Sequence, residues 1–396
     1  MSGPGGIVFV NRSYWPEETA TAQLLTDLAE ALVARGRRVT VIARAAGTLA
    51  RAEERGGVQI NRVPGSRWDG PGLAPKAAQF LAFWLGARRA VASALQPGDA
   101  VVTLTDPPLF GAAATAIARR RGASSWHWIQ DIYPEVAQAV TGARSWSVFQ
   151  PLRDRAWRRA AGCVTLGTDM GSLVAERGVR PDRLHLLSNW APAGLMPPPD
   201  DQIAAQREGW GAGREFVIGY SGNLGRVHDL DAILALAEAL RAEPDIRFQF
   251  TGSGPQRARI EAAAARRGLT RVKFAPPAPR GRLAAALAAA DLHLVTLRAG
   301  CERCVYPSKL YGIAAVGRPI LFLGPPRSEI ARQVVSAGMG IAAAGTDPAA
   351  AARAVRAWRD RPELLRAAAL ASLQFGRAHS GPAAAADLWD RLTRPG

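Results

Sequence analysis

The amino-acid sequence predicts an α/β chain of two doubly wound domains, each a parallel sheet covered by helices. Three observations carry that expectation. Residues 6–42 read as strand, helix, strand; residues 216–323 hold five apolar runs that each stop at a Gly- or Pro-bearing loop; and the proline-rich residues 190–199 separate the two series.

In chain order, Gly-Ile-Val-Phe-Val at 6–10 is a short apolar run of the kind that forms a buried strand. A loop over residues 11–22 carries Glu17 and Glu18, and then Leu24, Leu25, Leu28, Ala29 and Leu32 recur at helical spacing up to Gly36. Val39 to Ile42 is the next strand, which completes a βαβ unit and implies ligands at the carboxyl ends of the strands. Further strands are expected at 58–63, 100–104, 124–129 and 163–167. Residues 76–89 place Phe80, Phe83, Trp84 and Ala87 on one helical face with Lys76, Arg88 and Arg89 near the ends. Such a helix either docks its aromatic face on the sheet or lies in a membrane interface, and residues 145–159 repeat the mixture. The first domain is therefore drawn over 1–189, a linker over 190–214 and the second domain over 215–380, with a terminal helix over 381–396.

In the second domain, residues 216–231 form the most informative stretch. Phe216, Val217 and Ile218 are a strand, Gly219, Gly222 and Gly225 leave the backbone free to approach a ligand, and a helix starts near Asp229. Amides at a helix N-terminus attract phosphate. The spacing matches neither the P-loop nor the dinucleotide-binding pattern. Strands at 246–251, 272–274, 292–296 and 319–323 follow, and they lead into Gly252 to Gly254 and Ala275 to Pro277. The ligand crevice should open where these loops converge.

Composition narrows the classes of function. The 396 residues are 48% apolar, enough for sizeable cores, and the net charge of +17 points to polyanionic or membrane-surface partners. Three cysteines, Cys163, Cys301 and Cys304, are too few for a disulfide framework, and the Cys301–Cys304 pair lacks the further ligands of a structural zinc site. No window approaches the ~20 apolar residues of a membrane span, and no secretory leader opens the chain, so a cytoplasmic protein is expected. Asp229 and Asp231 imitate a metal-binding pair, yet a loop-to-helix junction uses such carboxylates as a cap and a first-turn charge. Metal-independent chemistry is therefore expected, with no bound cofactor.

Four pieces of sequence together resemble a known family: residues 16–23 (Pro-Glu-Glu-Thr-Ala-Thr-Ala-Gln); Asp106 to Leu109 with Gln130 to Glu135; Gly219 to Gly225; and Tyr306 to Gly312 leading to Gly317-Arg-Pro319. They are similar to the retaining family 4 glycosyltransferases of GT-B fold, and in particular to the branch that builds capsule, O-antigen and colanic-acid type surface polysaccharides, including transferases for fucosamine-like amino sugars. The resemblance covers nearly the whole chain. It implies two Rossmann-like domains facing a central cleft, the first binding the acceptor and the second a nucleotide sugar, usually UDP-linked. The terminal helix should then pack back on the first domain.

The same resemblance implies site residues. Gly222, Asn223, Leu224 and Gly225 would offer amides to the diphosphate, with Gly252, Gly254 and Ala275 on the neighbouring loops and Tyr306, Pro307, Ser308, Lys309 and Tyr311 across from them. Relatives often carry Arg at the position of Asn223 and Lys at that of His228, so charge compensation passes to Arg226, His228 or Lys309, with Lys309 preferred. The family's paired glutamates align with Cys304 and Gly312, neither of them acidic; Glu302, Ser308 and Tyr311 are the substitutes at hand, and a changed pocket suits a deoxy or N-acetylated amino sugar. In the first domain Asp131 is the expected polar catalytic residue, Glu17 and Glu18 are candidates for acceptor contact or base work, and His127 is a core residue. Retention would use the leaving diphosphate to help deprotonate the acceptor, so no protein nucleophile is required. The expected activity is transfer to a lipid-linked oligosaccharide or glycan at an anionic membrane surface, the protein being peripheral to the inner face. The alternatives are a sugar-nucleotide epimerase of the same fold and a basic nucleic-acid-binding protein; the latter lacks a base-reading helix.

Overall fold

A computed structural model describes residues 5–45, 47, 49–66 and 72–394, apart from the side chains of residues 73 and 144–146. The chain separates into two compact units, Met1–Ser188 with Pro382–Gly396, and Asn189–Gly381. In the first, eight strands are described: β1 (Ile7–Val10), β2 (Val39–Arg44), β3 (Ala52–Arg55), β4 (Val58–Val63), β5 (Ala100–Leu104), β6 (Ser124–Ile129), β7 (Gly162–Thr165) and β8 (Leu184–Leu186). Their order is β3-β4-β2-β1-β5-β6-β7-β8, and all neighbours run parallel except β3 against β4. β1 lies between β2 and β5, pairing Ile7 with both Val39 and Ala100. The chain therefore leaves β1 in one direction along the sheet and returns on its other side, which makes the β1–β5 boundary the switch point where such sheets bind ligands.

One face of this sheet packs Val8, Val10, Ile42 and Val101 against Phe83, Ala87 and Phe110. Phe83 and Ala87 belong to the helix Leu73–Ala94, so its aromatic side is core, while Leu81 and Leu85 on its other side are exposed. The opposite face receives the terminal helix Ala383–Leu392. Its Trp389 is fully buried edge-on against Phe9 and Trp126, with ring centroids 6.3 Å away in both cases. Arg37 anchors that helix through Asp390 at 2.7 Å.

The second unit has six strands among the described residues: β9 (Phe216–Ser221), β10 (Ile246–Thr251), β11 (Val272–Ala275), β12 (Leu292–Thr296), β13 (Ile320–Leu323) and β14 (Gly340–Ala343). They form a wholly parallel sheet in the order β11-β10-β9-β12-β13-β14, so the carboxyl ends of β9 to β12 lie along one edge.

Three strands escape the sequence reading, and each is an edge or near-edge strand of poor β character. β3 is Ala-Glu-Glu-Arg, β8 has three residues, and β14 is Gly-Ile-Ala-Ala. The stretch 190–214 is also not a bare linker: it contains the helix Asp200–Gly209, whose Arg207 donates to Asp291 at 3.1 Å and to the Ala289 carbonyl at 2.9 Å. A proline-rich entry hid a polar surface helix that belongs to the second unit.

Candidate functional site

The donor-side residues gather at the carboxyl edge of the second sheet. Strand β9 ends at Ser221, and the loop Gly222 to His228 leads to the helix Leu230–Ala239, whose first turn Asp229 caps by accepting from the Ala232 amide at 3.1 Å. Asp231 in that first turn pairs with Arg259 at 2.9 Å. The Asp-x-Asp likeness is thus spent on a cap and an ion pair.

The loop has one turn of its own, from the His228 amide to the Gly225 carbonyl at 3.1 Å, and is otherwise held by its neighbours. The Gly222 amide donates to the Thr251 carbonyl and the Leu224 amide to the Ser253 carbonyl at 2.8 Å. The Gln256 Nε2 group holds the carbonyls of Gly225 at 2.7 Å and His228 at 3.3 Å. On the far side, the Arg298 amide donates to Val227, His228 Nδ1 donates to the Thr296 carbonyl at 2.8 Å, and Thr296 Oγ1 donates to the Asp229 carbonyl. Gly254 makes this interlock feasible: its φ is +146°, and a Cβ there would stand 2.7 Å from the Leu224 nitrogen.

This geometry corrects the sequence assignment in two respects. Of the amides expected to face a diphosphate, those of Gly222 and Leu224 are consumed by β10-loop carbonyls, whereas those of Asn223, Gly225 and Arg226 have no partner among the described residues. Gly219 lies inside β9, where its missing side chain makes room for His293 and Ala290 rather than for a ligand.

Lys309 starts the helix Lys309–Ala315. Although the residue as a whole is partly exposed, its Nζ is shielded from solvent, has no hydrogen-bond partner, and lies 3.7 Å from the centroid of the Tyr220 ring. The Tyr220 hydroxyl in turn donates to the Asn223 carbonyl at 2.9 Å, which joins the ring that carries the ammonium to the loop. Burial lowers the Lys309 pKa from its ordinary 10.5 to about 7. His228 is driven down to about 3, first by burial and then by Lys309, so it is a neutral ring whose Nδ1 proton is already donated. It is not the cation that the sequence suggested. Arg226 is exposed.

The remaining donor-side residues divide between site and scaffold. Gly252 donates its amide to Ala275, and the Ala275 carbonyl also accepts from Arg257, so both positions tie the β9, β10 and β11 ends together. Pro307 is buried and Ser308 precedes Lys309 at the helix start. Tyr306 and Tyr311 are not free to meet a sugar: the Tyr306 hydroxyl is engaged with Gln333, and the fully buried Tyr311 stacks with Phe375 at 6.0 Å and packs at a tilt against His379 at 5.6 Å. Glu302 folds back to accept from the Gly300 amide at 2.7 Å. Cys304 is buried and its thiol faces the Cys301 carbonyl at 3.5 Å.

A second polar cluster occupies the switch point of the first sheet. Thr105 Oγ1 bonds the backbone of both Gln130 and Asp131, fixing the end of β6 against the end of β5. Burial and then the nearby Asp106 raise the Asp131 pKa to about 6. Asp106, also raised by burial, pairs with Arg12 at 2.8 Å. Glu17 pairs with Arg44 at 3.2 Å, and Glu18 is exposed. A small cavity borders Asp131, Thr105, Pro107, Tyr133 and Arg153. His127 is buried between Thr103 at 3.1 Å and Thr115 at 3.5 Å, and burial pushes it down to about 4, so it is a neutral core residue. Sequence reading missed Tyr220, Gln256, Asn11, Arg12 and Arg44 as site residues; for Tyr220, Asn11, Arg12 and Arg44 the signal at hand was their place at or just beyond a strand's carboxyl end.

Known proteins match this architecture. A family model described as "Glycosyl transferase 4-like domain" matches residues 19–190, and one described as "Glycosyl transferases group 1" matches residues 215–360. The chain is 28% identical over 285 residues to the probable glycosyltransferase WbjE of Pseudomonas aeruginosa, covering 70% of this chain and 69% of that one. It is 34% identical over 155 residues to the putative colanic acid biosynthesis glycosyl transferase WcaI of Escherichia coli, covering 39% and 38%. Among solved structures, a sucrose-phosphate synthase from Thermosynechococcus elongatus aligns with a TM-score of 0.80 at 16% identity over 98% of both chains, and Anabaena HepE in complex with UDP and glucose with 0.74 at 17% over 98% of both. With two parallel-sheet units, each matched along most of its length by a glycosyltransferase model, the chain belongs to the family 4 type glycosyltransferases of GT-B fold.

Proposed function

We propose that this glycosyltransferase moves a deoxy or N-acetylated amino sugar from a UDP-sugar to a lipid-linked oligosaccharide or glycan acceptor in surface polysaccharide biosynthesis, with retention of configuration. One observation carries the donor half: the Lys309 ammonium is withdrawn from water with no anion beside it, and the ring beneath it is tied to a loop whose Asn223, Gly225 and Arg226 amides are uncommitted. A buried cation without a counter-ion is costly unless a ligand supplies one. A diphosphate does so, and a charge placed in advance stabilises the leaving nucleotide without reorganisation. The names of similar proteins agree with that direction: WcaI is described for colanic acid biosynthesis, and HepE was solved with UDP and glucose.

Because Asp229 and Asp231 are engaged in the cap and the Arg259 pair, charge compensation falls to Lys309, and turnover is expected to survive EDTA. The membrane side of the proposal rests on the first unit. Leu85, 40% exposed, lines a surface groove with Arg88, Arg89, Arg120 and Arg121, and Leu81 one helical turn earlier is 56% exposed, a mixture that binds anionic interfaces. No described helix is long and apolar enough to cross a membrane. The testing experiment is a thermal-shift screen with UDP-, GDP- and dTDP-sugars, followed by UDP release with and without a lipid-linked acceptor. A shift with GDP-sugars alone overturns the donor assignment, and interconversion of two UDP-sugars without acceptor overturns transfer in favour of epimerisation.

A further inference from the structure

The first unit contains polar groups that its own fold leaves unsatisfied. Asn11 is fully buried at the carboxyl end of β1; its Nδ2 donates to the Ser13 carbonyl at 2.6 Å, while its Oδ1 has no donor. Arg44, the last residue of β2, gives one Nη to Glu17, while its Nε is shielded from solvent with no acceptor. The Asp131 carboxyl, at the end of β6, accepts no hydrogen bond among the described residues. An orphaned buried acceptor or donor costs about 1–3 kcal/mol, so Asn11 Oδ1 and Arg44 Nε imply a partner that the unit does not itself provide, and the partly exposed Asp131 carboxyl is open to the same partner.

They are in one place because of the strand order. β2, β1, β5 and β6 are consecutive in the sheet, and all four run parallel, so Arg44, Asn11, Asp106 and Asp131 stand at its central carboxyl edge. Backbone bonds fasten the row: the Asn11 amide donates to Ile42, the Arg12 amide to Asp106, and the Arg44 amide to Arg12.

Charge identifies the ligand class. The cluster holds the cations Arg12, Arg44 and, lining the Asp131 cavity, Arg153, each already with an acidic partner, and the three carboxyl groups of Glu17, Asp106 and Asp131. A phosphate entering here would meet no uncompensated cation and three acids. The contrast with Lys309, which has no acid partner, is direct. A ligand that offers both donors and acceptors without net charge satisfies Asn11 Oδ1, Arg44 Nε and Asp131 together, and a sugar's hydroxyls have that character.

We propose that the carboxyl edge of β2, β1, β5 and β6 is a binding site for a neutral sugar, with Asn11, Arg44 and Asp131 as its polar contacts, and that the chain therefore extends an uncharged sugar end rather than glycosylating a phosphate or a uronic acid. This rests on the transferase reading above and specifies the acceptor for it. The test uses the full-length protein saturated with UDP and titrated with four probes: an octyl hexoside, an octyl N-acetylhexosaminide, an octyl hexuronide and octyl phosphate. Binding is followed by isothermal titration, and UDP-sugar affinity is measured in parallel. The expected result is that at least one neutral glycoside binds ten-fold or more tighter than the hexuronide and the phosphate. Arg44→Gln and Asn11→Leu should weaken that glycoside ten-fold or more with UDP-sugar affinity unchanged, and Arg44→Gln suffices if the buried Asn11 variant does not fold. Tighter binding of octyl phosphate or the hexuronide overturns the proposal, as does UDP-sugar binding with no glycoside bound. So does unchanged glycoside affinity in both variants, which would assign the orphaned atoms to trapped water. Loss of UDP-sugar binding in the wild-type protein is a different failure, and it strikes the transferase reading itself.

Discussion

Substituting Lys309 with Met should stabilise the empty protein and damage donor binding at once. A drop in pKa from 10.5 to about 7 corresponds, at about 1.4 kcal/mol for each tenfold, to about 5 kcal/mol in favour of the neutral amine. The cation–π contact with Tyr220 returns about 1–2 kcal/mol, and local relaxation returns more, so the net gain in the Met variant at pH 7 should be about 1–3 kcal/mol. For a unit of this size that is a rise in Tm of roughly 2–10 °C. The folded pKa lies below the unfolded one, so the wild-type cost is fully present below pH 7 and fades as pH rises towards 10.5; the advantage of the Met variant should shrink in step. Donor binding has the opposite sign. Removing the ammonium from a diphosphate should cost about 2–4 kcal/mol, or roughly 30- to 1,000-fold in Kd. Wild-type affinity for a UDP-sugar should also fall about tenfold for each pH unit above the Lys309 pKa, with proton uptake of about half a proton per site at pH 7. Differential scanning fluorimetry and calorimetry in two buffers of different ionisation enthalpy read all of these quantities. A Met variant that melts lower and binds the UDP-sugar as tightly as wild type would refute the assignment and make Lys309 a packing residue.

Three further outcomes follow from the same geometry. Asp131→Asn should lower turnover about 100-fold with UDP-sugar affinity unchanged; because burial raises the Asp131 pKa to about 6, the wild type loses stability as pH rises through that value, and the Asn variant should be about 1–2 kcal/mol more stable at pH 8 but not at pH 4. Gly254→Ala should abolish the UDP-induced thermal shift while the protein remains folded, since a Cβ at φ +146° displaces the loop that Leu224 anchors; an unaltered shift would show that the loop tolerates it. Trp389→Ala should destabilise the first unit by about 3–5 kcal/mol, seen as a lowered first transition in urea, because the indole fills the space between Phe9, Trp126 and Trp128.

The legible part of this chain is what periodicity and chain-breaking residues encode. The apolar runs of β1, β2, β9, β10 and β12 and the capping Asp229 are local signals, set by side-chain burial on a pleated strand and by a carboxylate on an open helix end. They were sufficient for two doubly wound domains and for a loop at residues 222–228. Lys309 was nominated by the motif around Pro307 and Ser308, although nothing in that motif says that its nitrogen is shielded from water.

Tertiary structure decided the rest, because it concerns partners far apart in sequence. Only the pairing of the β9 and β10 loops shows that the Gly222 and Leu224 amides are spent and the Asn223, Gly225 and Arg226 amides are not. Only the packing around Tyr220 determines that the Lys309 nitrogen is shielded, and only burial beside Lys309 makes His228 a neutral ring. Tyr311 reads like a site residue until Phe375 and His379 are packed upon it. Asn11 and Arg44 carry no motif at all, and it is the order β2-β1-β5-β6 that brings them to Asp131. A sequence specifies which groups are polar; the fold determines which of them are left without a partner, and in this chain those unsatisfied groups mark both candidate sites.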